Sequence, residues 1–80
     1  MSHSQTMTKD DEKAVNAVSN LINGNLEEAR KQSKSLKYLQ LRSAALNHCG
    51  QPEKKAAAIA LYLKGQIDWD EHCKFMQDDS

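Results

Sequence analysis

An all-α fold, a small bundle of four to five helices built from helical hairpins and expected to be oligomeric, is predicted by three features of this 80-residue chain. The first is a pair of glycine corners. Val18-Ser-Asn-Leu-Ile-Asn-Gly-Asn-Leu26 and Ile59-Ala-Leu-Tyr-Leu-Lys-Gly-Gln-Ile67 each run an apolar helical ending into a glycine and a fresh start. A helix that stops on a glycine at positive φ and resumes behind a polar cap turns back on itself. The second is apolar spacing of three and four residues along most of the chain. The third is size, because one core in so short a chain buries only about 60% of the unfolded surface. A partner surface is expected to supplement it. The hydrophobic share is 39%, but with one Trp, two Tyr and one Phe the core must rest on Leu, Ile, Val and Ala.

Residues 1–7 are polar and lack a cap, and are expected to form a disordered tail ahead of a single helical domain over 8–77. Thr8 caps the first helix, with Asp11 at its third position and acids in the opening turn, where the helix dipole favours them. Ala14, Val15, Ala17, Val18, Leu21 and Ile22 share one face, which predicts a helix over 9–23 ended by Asn23-Gly24. Asn25 is expected to cap the next helix, with Glu28 completing a capping box.

That second helix is expected to run continuously over 26–48, kinked near Ser33 to Ser35, in preference to two separate helices. Its later part carries Leu36, Leu39 and Leu46 on one side and Tyr38, Leu41, Ala45 and Cys49 on the other. A helix apolar on two sides is sandwiched between neighbours. Gly50 and Pro52 break it, with Pro52 suited to the first position of the next helix, over 52–64. After Gly65, Asp68 caps a last helix with Glu71 three residues on. Residues 78–80 are expected to fray.

The charge is zero overall and unevenly spread. Residues 1–29 and 56–80 each carry a net −3, while residues 30–55 carry +6 from Arg30, Lys31, Lys34, Lys37, Arg42, Lys54 and Lys55 against Glu53. A basic middle between acidic flanks steers an acidic partner or nucleic acid inward, or brings flank onto centre within one chain or between two copies.

No run approaches the roughly 20 apolar residues of a bilayer-spanning helix, and Met1 to Met7 lacks the basic and apolar regions of a signal peptide. The expectation is a cytoplasmic protein with no membrane partner. Two cysteines are too few for a disulfide framework and are read as reduced thiols. His48-Cys49 and His72-Cys73 repeat a dipeptide, yet neighbours on a helix point about 100° apart. Structural zinc ligands are usually spaced by two to four residues, so no metal is expected. Neither dipeptide has the third orienting residue or oxyanion loop that a Cys-His nucleophile needs. The three glycines are isolated helix punctuation with no phosphate loop among them, and the carboxylates fall in first turns that capping explains. No catalytic residue and no cofactor are expected, and enzymatic activity is not.

The segment Leu61-Tyr-Leu-Lys-Gly-Gln-Ile-Asp-Trp-Asp-Glu71 resembles the Leu-x-x-x-Gly-x-Ile-x-x-x-Glu corner of short bacterial helical hairpins, including the small C-terminal oligomerisation module called SHOCT. It covers under a quarter of the chain and carries no residue role across.

The expected function is therefore that of a small helical regulator that binds another protein, such as a transcription factor, as an inhibitor, antirepressor or adaptor. Tyr38, Leu41, Tyr62, Leu63 and Trp69 are the expected contact residues, and Arg30, Lys34, Lys37 and Arg42 steer the encounter. Leu46 and Ile59 are expected in the core. Two alternatives stand beside this reading. One is a dimer that binds nucleic acid through the basic segment 30–42. Recognition of DNA by the last helix is disfavoured, since Asp68, Asp70 and Glu71 at its start would repel phosphate. The other alternative is a purely structural oligomerisation module.

Overall fold

A computed structural model describes residues 8–77, so the expected N-terminal tail and the expected fraying of 78–80 lie outside the described residues. Within them the chain is all-helical: α1 is Lys9–Ile22, α2 Leu26–Ser33, α3 Tyr38–Asn47, α4 Glu53–Leu63 and α5 Trp69–Gln77. Helix α1 packs on α2 and α3, α3 also packs on α4, and α5 is held against α4.

Thr8 begins α1 with a complete capping box: its Oγ1 accepts the Asp11 N–H at 3.0 Å, and its own N–H donates to Asp11 Oδ2 at 3.5 Å. Both glycine corners close with the same pair of bonds. Gly24 N–H donates to Leu21 O at 3.1 Å and Asn25 N–H to Asn20 O at 2.7 Å; Gly65 N–H donates to Tyr62 O at 2.9 Å and Gln66 N–H to Leu61 O at 2.8 Å. This is the Schellman ending, which needs a left-handed residue, and φ is 92° at Gly24 and 75° at Gly65.

The expected capping box of α2 is absent. Asn25 already donates its N–H into the end of α1, sits at φ −88°, ψ 69° and makes no side-chain cap bond; its Nδ2 turns to Asn20 Oδ1 at 3.4 Å. Pro52 lies one place earlier than expected, as the extended N-cap of α4.

The largest departure is in the middle, where the expected continuous helix is two helices parted at residues 34–37. Ser33 is fully buried and its Oγ donates back to Ala29 O at 2.7 Å, a bond that weakens the helix it ends. Lys64, at the far end of α4, then donates from Nζ to Ser33 O at 3.1 Å and to Leu36 O at 2.6 Å. A cation there satisfies carbonyls that a continuing helix would have bonded itself and complements the dipole of α2. On the other side of the break, Gln40 Oε1 accepts the N–H of Lys37 at 2.8 Å and starts α3.

The break re-sorts the leucines. Leu36 leaves the helix yet stays buried at 2% exposure, while Leu39, three residues on, turns outward and is 69% exposed. Their shared stripe existed only for a continuous helix. The expected sandwich holds for the rest of α3: Leu41 and Ala45 are fully buried, between α1 and α4. They join Ala14, Ala17, Val18, Ala29, Ile59 and Ala60 in one cluster, with Leu46 partly buried against it. Burial of each large member contributes about 1.5–3 kcal/mol.

Candidate protein-binding surface

The C-terminal corner brings together residues that sequence alone leaves scattered. Tyr62, in the last turn of α4, meets Trp69 edge to face with centroids 5.2 Å apart, and Trp69 stacks on His72 at 4.6 Å with planes 22° apart. His72 closes the triangle at 5.4 Å from Tyr62. The Schellman turn at Gly65 and the Asp68 cap, whose Oδ1 accepts the Glu71 N–H at 2.8 Å, set α5 against α4 so that these rings meet. From α2, the Arg30 guanidinium lies over the Tyr62 ring at 5.6 Å, a cation–π contact.

His72 is buried, and neither ring nitrogen has a hydrogen-bond partner among the described residues. Burial lowers its pKa below the ordinary 6.5, because the charged imidazolium would lose hydration there. The ring is therefore neutral at pH 7 and serves as a flat surface for the indole.

Two open grooves meet on this corner. Leu26, Glu27, Arg30, Lys31, Lys34 and Tyr62 line one; Arg30, Tyr62, Gln66, Ile67, Asp68 and Trp69 line much of the other. Arg30 and Tyr62 belong to both, and form the ridge between them. Trp69 stays 40% exposed despite its stacking.

The expected contact residues therefore separate. Trp69 is at the surface, Tyr62 is 7% exposed with groove on either side, and Tyr38 is half-buried against the core. Leu41 at 0% is enclosed between α1 and α4, and Leu63 at 5% is buried at the end of α4 itself. Of the expected steering residues, Arg30, Lys34 and Lys37 are exposed and Arg42 is half-buried. The break divides them, Lys34 closing α2 and Lys37 opening α3.

Among the described residues the other exposed large hydrophobics are Ile22 and Leu39. Gln40, beside Leu39, bonds Asp10 at the start of α1, whereas Ile22 ends that helix. They are thus separated by roughly the 20 Å length of α1, and isolated exposed residues of this kind are ordinary.

Cys49 and Cys73 are free thiols. Among the described residues no three His, Cys, Asp or Glu side chains are grouped to hold a metal ion, so His48, Cys49, His72 and Cys73 do not form one ligand set. No described helix is long and apolar enough to cross a membrane. No family model, no curated protein and no solved structure matches this chain.

Proposed function

We propose that this protein is a small non-enzymatic regulator that works by binding another protein, an inhibitor or adaptor in kind, through the corner formed by Arg30, Tyr62 and Trp69. The observation that carries the reading is the ring stack. An exposed indole is stacked on His72 beside a ring capped by arginine, and the ridge of Arg30 and Tyr62 next to it has a groove on either side. Trp, Tyr and Arg are the residues that dominate binding energy at protein interfaces. Lys31 and Lys34, both exposed, favour a partner with carboxylates beside its apolar anchor.

The test is affinity capture from the native host with the parent chain and with Trp69→Ala, followed by quantitative mass spectrometry. A protein retained by the parent and depleted at least about tenfold by the variant is the expected result, since loss of a central aromatic anchor typically costs 2 kcal/mol or more. The same proteins retained equally by both would overturn the reading. Nucleic-acid binding through 30–42 ranks below it because the break interrupts that basic run; a salt-sensitive DNA shift abolished by Lys34→Glu with Lys37→Glu would reverse the ranking.

A further inference from the structure

We infer that the groove between α2 and Tyr62 takes an acidic segment of the partner protein, with one apolar side chain against Leu26 and Tyr62 and two or more carboxylates on the cations beside them. This rests on the reading above that the corner binds a protein, and adds the chemistry it selects. Leu26, Arg30 and Lys34 follow one another at four-residue intervals along one side of α2, with Glu27 and Lys31 alongside, and all five line the groove together with Tyr62. Leu26 stands at one end of the row, Arg30 lies over the Tyr62 ring in the middle, and Lys34 closes the other end. The row is about 12 Å long at 1.5 Å per residue, room for roughly four extended residues or about two helical turns.

The Lys34 end is more basic than the sequence run alone implies. Lys64 of α4 donates to the carbonyls of Ser33 and Leu36, and Lys13 of α1 donates from Nζ to Ser35 Oγ at 2.7 Å. Lysines from two other helices are thus fixed on the residues that flank Lys34. The acids of this chain do not answer that charge. Arg30, Lys31 and Lys34 are exposed and form no ion pair among the described residues, and Glu27 is the single carboxylate lining the groove. Three cations around an apolar wall are complementary to carboxylates set beside an apolar side chain. Nucleic acid fits the groove less well, since a phosphodiester chain brings no apolar group to Leu26 and is repelled by Glu27.

Selection of a displayed library of random peptides on the folded full-length protein tests this. Peptides that combine Leu, Phe or Trp with at least two Asp or Glu are expected to be enriched. One such peptide, synthesised and titrated, is expected to shift the amide resonances of residues 26–34 and Tyr62. Its affinity is expected to fall about tenfold for Lys31→Glu with Lys34→Glu, a variant whose helices circular dichroism confirms. The same peptide with lysine in place of its acids is expected to prefer that variant to the parent. Enrichment without acids, equal binding to parent and variant, or shifts confined to other residues overturns the inference. A DNA duplex that displaces the peptide from 26–34 at equal concentration overturns it in favour of nucleic acid, and a dimer of the peptide-free protein that covers the same amides overturns it in favour of a second copy. A partner captured through Trp69 while no acidic peptide binds defeats this inference alone. An acidic peptide bound along α2 while Trp69→Ala retains every captured protein defeats the Trp69 reading alone.

Discussion

The two glycine corners share their hydrogen bonds and differ in what they hold together. At Gly24 a single residue, Asn25, intervenes before α2, and α1 and α2 close over alanines, with Ala14, Ala17 and Ala29 all fully buried. At Gly65 three residues intervene before α5, and the contact is made by rings, one of which remains 40% exposed. One backbone device thus makes a sealed hairpin where the facing residues are small and an open, wettable one where they are large and flat. The caps set where the chain turns, while side-chain volume decides how much surface is left over.

Lys64 is the sharpest place to break this comparison, since it precedes the second corner yet its ammonium reaches the end of α2. Lys64→Met keeps most of the stem and removes two charge-assisted bonds, and should lower unfolding stability by about 2 kcal/mol. Urea denaturation measures it. An unchanged midpoint would show that water serves the Ser33 and Leu36 carbonyls equally well.

Valine at either glycine tests the corners themselves. A Cβ placed at Gly24 or Gly65 meets no atom within 4 Å, so the cost is that of a β-branched residue at positive φ, about 1–2 kcal/mol. Hydrogen exchange separates the two. Gly24→Val should speed exchange across the core amides of α1 and α4 alike, whereas Gly65→Val should speed it chiefly in α5, which is held by α4. Equal melting temperatures for variants and parent would mean that the left-handed conformation is not required.

The smallest effect belongs to His72. Its pKa is lowered in the folded protein, so below 6.5 the unfolded chain binds more protons than the folded one. Stability is complete above 6.5 and declines as pH falls from there through the folded value. His72→Phe keeps a ring against Trp69 and should flatten that part of the stability profile. A variant as acid-sensitive as the parent across that window would assign the loss to other groups.

Much of the fold is legible in the sequence because its signals are local. Thr8 and Asp11, Gly24, Gly65, and Asp68 with Glu71 each specify a cap within six residues, and each is found where expected. The break at 34–37 is not legible in that way. Lys, Gln and Ser tolerate helix, and what ends it is a lysine about 30 residues away together with the burial of Leu36. The exposure of Leu39 is hidden with it, since a periodicity argument presumes an unbroken helix. For the candidate surface, the residue types were readable in Arg30, Tyr62 and Trp69, but their convergence was not. Leu41 and Leu63 read equally well as core or contact until both are seen to be buried within the chain.

The long tie from Lys64 to residues 33 and 36 also bears on the order in which the chain acquires its shape. Residues 26–48 are joined into the chain before Lys64 is added. During that interval the group that divides α2 from α3 does not yet exist, and local preference alone governs the segment. Whatever shape the segment holds at that stage, the two bonds that secure its division at residues 34–37 form only after Lys64 has joined the chain and α4 has packed on α3.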